Sequence, residues 1–202
     1  MTTTLYVETN FLIGFAKGQD EEVARLVAEC PSTVRIAVPS ICFMEALSVL
    51  EAERKARRRL INDLETHARE AGRDMFASVA ITLRSHLESA AVESIDLLDE
   101  IERRLEFVLK DLANTAELID LRKEMILAAV ESNFTDDPTD NLILACIADH
   151  AASRPASAKA FVSANARDYN RPDVLDLLDR SGVRYFLNPK AALGWLAATP
   201  ES

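Results

Sequence analysis

Between Pro39 and Pro138 the chain contains no proline and a single glycine, Gly72. Proline breaks a helix interior and glycine weakens it. A stretch this long with so few breakers, rich in Leu, Ala, Glu and Arg, therefore reads as successive helices with one turn at Gly72. Phe76, Val79, Ala80, Leu83 and Leu87 recur on one face, and Leu98, Ile101, Leu105, Val108 and Leu112 follow three-four spacing. These helices are expected to bury both stripes against one another as a hairpin or bundle.

The flanks have a different texture. "LYV" at 5–7, "VRIAVP" after Pro31, "AKAFVS" at 158–163 and "VRYFLNP" after Gly182 are short β-branched or aromatic runs bounded by turn residues, the signature of strands. They alternate with helical segments at Asp20–Cys30, Asp137–Ala152, Pro172–Arg180 and Pro189–Leu196. Strands separated by helices predict right-handed crossovers and a parallel sheet. The expectation is one α/β domain over residues 1–202 with a helical insertion at about 51–135, a length suited to a single core.

The three cysteines, Cys30, Cys42 and Cys146, are odd in number and lack CxxC spacing, so they read as core residues in a reducing compartment, not as a disulfide or zinc site. The longest apolar run, Leu142–Ala148, falls far short of the roughly 20 residues that span a bilayer. A soluble, cytoplasmic protein is expected. Its 33 acidic and 23 basic residues give a formal charge of −10, which argues against tight non-specific binding of nucleic acid. The one basic cluster is Arg54, Lys55, Arg57, Arg58 and Arg59. It is either a solvated helix face or, if continuous with Glu45 on one helix, a set of phosphate contacts about 14 to 21 Å along the axis from that carboxylate.

In an open parallel sheet, ligands bind beyond the carboxyl ends of the strands. Glu8 ends the first strand, Glu45 lies about a turn and a half into the helix after "VRIAVPS", Asp140 opens "DNLILACIADH", and Asn165 and Asp168 follow the strand at 158–163. Each has a plainer reading. Asp137 as N-cap, Pro138 at the first helical position and an acid at the third explain Asp140 by themselves. Glu45 interrupts an apolar face and is either turned to solvent or buried with a partner or a metal. Asp168 and Asn165 suit a loop beside Asn170 and Pro172, and Glu8 with Thr9 and Asn10 suits a helix cap. If the acids do converge, their repulsion calls for a divalent cation, and oxygen-only ligands select Mg²⁺ or Mn²⁺, ions that commonly act on phosphate esters. His67, His86 and His150 lack metal-ligand spacing and read as surface or packing residues; Trp195 reads as core.

Four motifs occur in order: "VETNFLI", "VPSICFMEAL", "DNLILACIADH" and "FVSANARDY". Together they resemble the PIN-domain nucleases. The resemblance implies a PIN-like three-layer α/β sandwich with a central parallel sheet, and a Mg²⁺- or Mn²⁺-dependent ribonuclease. It implies Glu8, Glu45, Asp140 and Asp168 as catalytic, metal-holding acids, with Asn165 as a further ligand. Thr9, Asn10, Arg54 and Arg58 are the expected contacts to RNA. Many prokaryotic members are toxins, so an antitoxin and a homodimer are the expected partners. Two features depart from the family: the helical stretch is longer than in the small toxins, and Glu8 stands where most members have Asp, one methylene shorter and so roughly 1 Å different in reach. These keep open a non-catalytic module that binds RNA or protein. A phosphatase or phosphoacceptor would need an Asp nucleophile after the first strand, and Glu8 substitutes poorly for one.

Overall fold

The computed structural model describes residues 3–132, 134–154 and 158–198. Five strands, β1 (Thr3–Val7), β2 (Val34–Pro39), β3 (Glu117–Ile119), β4 (Lys159–Val162) and β5 (Val183–Phe186), form one all-parallel sheet in the order β3-β2-β1-β4-β5. Around it lie α1 (Thr9–Lys17), α2 (Glu21–Ala28), α3 (Ile41–Ala71), α4 (Ser78–Thr115), α5 (Lys123–Glu131), α6 (Pro138–Ala152), α7 (Ala166–Tyr169), α8 (Pro172–Arg180) and α9 (Pro189–Ala198). Every residue of β1 and of β4 is buried. Burial on both alternating faces means that helices cover the sheet on both sides, as a parallel sheet requires. The expected α/β architecture is the one observed.

The four strands expected from sequence are all present. β3 was not foreseen: its three residues lie inside the stretch read as wholly helical, and they are a strand because β2 offers an open edge, with Val38 paired to Leu118 and Pro39 to Ile119. The break at Gly72 is where α3 ends, and α3 and α4 pack on each other as a hairpin. Arg54 of α3 grips Glu102 of α4 with two hydrogen bonds, at 2.5 and 2.8 Å. Lys17 ties α1 to Glu53 of α3 at 2.9 Å. Gly18 ends α1 at φ 63°, the left-handed conformation in which its N–H reaches back to the Gly14 and Phe15 carbonyls without a Cβ penalty.

Only one of the two apolar stripes is buried. Leu98, Ile101, Leu105, Val108 and Leu112 join the core, where α4 lies against α1 and Phe15 stacks on Phe107 at 6.0 Å. Phe76, Val79 and Leu83 are 98%, 76% and 50% exposed, because they sit at the hairpin end, where no further layer covers them. The cysteines also divide. Cys42 and Cys146 are buried, but Cys30 is exposed, since α2 stops at Ala28 and leaves it in the connection to β2. Trp195 packs on the core beside Phe186 at 5.5 Å. Among the described residues no helix is long and apolar enough to cross a membrane.

Candidate active site

The strand order reverses direction between β1 and β4, and a crevice opens at the carboxyl ends of strands at such a switch point. The register fixes what lines it. Val7 pairs with Val162, so the next residues, Glu8 and Ser163, leave the sheet side by side. Both are buried, at 2% and 3% exposure.

Glu8 is at once the cap of α1 and a member of the crevice. Its Oε2 accepts the Asn10 N–H at 2.7 Å, satisfying one of the free amides that begin any helix. Its Oε1 is buried with no hydrogen-bond partner. Burial pushes the carboxyl up to about 7; the Asn10 amide and Ser163 hydroxyl oppose that rise, and the charges of Asp140 and Glu45 add to it.

Asp140 lies in the first turn of α6. Asp137 does cap that helix, accepting the Thr139 N–H at 2.7 Å, which frees Asp140 to turn inward. Its Oδ1 accepts the Tyr169 hydroxyl, and its Oδ2 accepts Asn165 Nδ2 at 3.2 Å. Burial raises it to about 6; Tyr169 counters the rise, and Asp137, Asp168 and Glu45 add to it. Asn141, the next residue, holds the entry to α6 by exchanging two 3.0 Å hydrogen bonds with the Thr135 backbone.

Glu45, half-buried on the second turn of α3, accepts the Thr9 hydroxyl. Asp168 is half-buried in α7, whose cap is Asn165; the Asn165 side chain accepts the Asp168 N–H at 3.4 Å. The structure thus brings Glu8, Glu45, Asp140, Asn165 and Asp168 to one end of the sheet. Thr9 is buried against Glu45 and Asn10 is exposed at the rim. Arg58 is exposed on α3, whereas Arg54 is engaged by Glu102. Tyr169 and Ser163 were missed by sequence reasoning. The one available signal was a tyrosine, not a purely apolar ring, closing "FVSANARDY". Burial and the adjacent carboxylates push Tyr169 far above its ordinary value, so its hydroxyl keeps its proton and donates.

No Lys, Arg or His forms an ion pair with Glu8, Glu45, Asp140 or Asp168 among the described residues. Nor, among the described residues, do three His, Cys, Asp or Glu side chains stand close enough together to hold an ion as arranged. Thr9, Tyr169 and Asn165 occupy carboxylate oxygens that a ligand set would use. The donor chemistry nonetheless fits a hard divalent cation: oxygen throughout, uncompensated negative charge, and one buried oxygen of Glu8 without a partner.

An all-parallel sheet covered by helices, with acids at its switch point, defines an open-sheet α/β protein. The chain belongs to the PIN-domain family, whose profile matches residues 5–169. Among curated proteins no relative matches it.

Proposed function

We propose that the protein is a metal-dependent endoribonuclease that hydrolyses RNA phosphodiester bonds at the crevice between β1 and β4. The observation that carries this reading is the set of four acids without a countercharge, one of them holding a buried, partnerless oxygen. Mg²⁺ or Mn²⁺ is the proposed cofactor, with Glu8, Glu45, Asp140 and Asp168 as its acids and Asn165 as a carboxamide beside them. The chemistry such an ion supplies is activation of an attacking water and positive charge against the scissile phosphate.

The chain's own residues prepare that chemistry. Glu8 is fixed by the backbone N–H of Asn10, which holds its second oxygen buried and without a partner instead of letting the carboxylate swing free. Tyr169 and Asn165 orient Asp140 from either side, and Thr9 orients Glu45. The buried floor of Val7, Val162 and Ser163 limits water behind the acids. A toxin role restrained by an antitoxin, and assembly as a homodimer, belong to the same proposal and rest on the family resemblance alone.

The test is cleavage of single-stranded RNA with Mn²⁺ by wild type and Asp140→Asn. Asparagine keeps the Tyr169 hydrogen bond but removes the charge, and activity is expected to fall at least about 100-fold. Unchanged cleavage by the variant would place the activity elsewhere.

A further inference from the structure

A cleft of about 380 Å³ opens beside the carboxylates, between α1, α2, the end of β4 and the start of α9. Asn10 and Ser163 line the cleft and neighbour Glu8, and Asn165 lines it and bonds Asp140, so the cleft adjoins the acids through these three residues. Its walls are apolar, from Phe11, Ile13, Val23, Val162 and Pro189. Carboxamides line it at Asn10, Gln19 and Asn165.

Its charge narrows the occupant. No Lys or Arg is among the lining residues, and the single carboxylate, Asp20, is engaged in capping α2 through the Glu22 and Val23 amides. A cleft without cations is a poor seat for phosphate. Apolar walls, one of them the Phe11 ring, with groups that both donate and accept hydrogen bonds suit a neutral, flat heterocycle whose edge carries donors and acceptors.

Gly14 is a second, independent observation. It lies inside α1, where glycine is unfavourable. Close packing does not explain it, because a Cβ built at this position meets nothing within 4 Å. The space it leaves is the cleft itself.

Resting on the nuclease reading above, we propose that this cleft receives an unpaired nucleobase of the RNA strand whose phosphate lies at Glu8 and Asp140. The carboxamides of Asn10 and Gln19 read the base edge, Asn165 stays bonded to Asp140 and the Asp168 N–H at the acid end of the cleft, and Phe11, Ile13 and Val23 line its face. Sequence-specific recognition of RNA commonly takes this form, with a base splayed out of the strand and hydrogen-bonded on its edge. The enzyme then cuts next to a preferred base.

The experiment compares wild type with Gly14→Leu, whose side chain fills the cleft and whose helix propensity exceeds that of glycine. The four nucleoside 5′-monophosphates and ribose 5-phosphate are titrated in Mg²⁺ and followed by protein NMR; none has a phosphodiester to cut. At least one nucleotide is expected to bind wild type tenfold or more tightly than ribose 5-phosphate, with shifts at Asn10, Gly14, Gln19 and Asn165, and Gly14→Leu is expected to abolish that difference. Cut sites in a mixed-sequence RNA should show a base preference in wild type that Gly14→Leu loses. Equal binding of nucleotide and sugar phosphate, or a base-dependent gain that survives in Gly14→Leu, overturns the cleft assignment. The two readings fail separately. A wild type that cuts no RNA yet binds a nucleotide through its base sinks the nuclease reading and makes a free nucleotide the occupant; one that cuts RNA without base preference sinks the cleft alone.

Discussion

Glu8→Gln is expected to stabilise the metal-free protein at alkaline pH, although it alters a buried, hydrogen-bonded residue. Burial lifts the Glu8 carboxyl from 4.5 to about 7. At about 1.4 kcal/mol for each tenfold change in acidity, ionised Glu8 costs the native state about 3 kcal/mol. The native protein therefore holds a proton that the unfolded chain has already released between those two values. Stability is greatest below the unfolded value and declines as pH rises through the folded one. Asp140, raised to about 6 by its own burial, acts in the same direction.

Between pH 5.5 and pH 8 Glu8 alone should remove about 2 kcal/mol, or about 4–8 °C in melting temperature for a chain of this size. Glutamine cannot ionise, so the variant loses most of that slope. Its buried carboxamide gives back about 1 kcal/mol, which leaves Glu8→Gln about 2 kcal/mol more stable than wild type at pH 8. Urea titrations with chelator at both pH values measure this directly. Mn²⁺ at pH 8 should then raise the midpoint of wild type and leave that of Glu8→Gln nearly unmoved. A wild type whose stability does not fall between the two pH values, or a variant that unfolds before wild type at pH 8, would refute the claim that desolvation dominates at Glu8.

Two further outcomes follow from the long helices. Arg54 is held by Glu102 while Arg58 is exposed, so Arg58→Ala should lower the salt slope of RNA binding by about one and Arg54→Ala should not; equal effects in fluorescence anisotropy would show that the α3–α4 clamp opens for RNA. Leu105 is 1% exposed and Phe76 is 98% exposed, so Leu105→Ala should cost about 2–5 kcal/mol in urea unfolding and Phe76→Ser less than about 0.5 kcal/mol, whereas comparable losses would mean that the hairpin end is covered in solution.

Much of the architecture was legible because it depends on neighbours in the chain. Strand runs, turn residues and the break at Gly72 are local signals, and four strands and the hairpin follow from them. The order of the motifs also pointed to acids that the fold brings to one end of the sheet. β3 was illegible because three residues carry no periodicity, and only the open edge of β2 makes them a strand. The stripe leading into α4 and the stripe further along it look alike in sequence; which one is buried depends on α1 lying over residues 98–112 and nothing lying over Phe76, Val79 and Leu83.

The sequence by itself determined the alternation of strand and helix, the long helical hairpin, and the residue types from which the site is made. Only the tertiary structure decided how those residues are used. Glu8 caps α1 with one oxygen and keeps the other buried and bare; Thr9 reaches Glu45 across 36 residues, and Tyr169 reaches Asp140 across 29. Propensity and periodicity act over a few neighbouring residues, whereas hydrogen bonds of that separation, and the burial that raises Glu8 and Asp140, exist only after the sheet has set β2 and β4 on either side of β1.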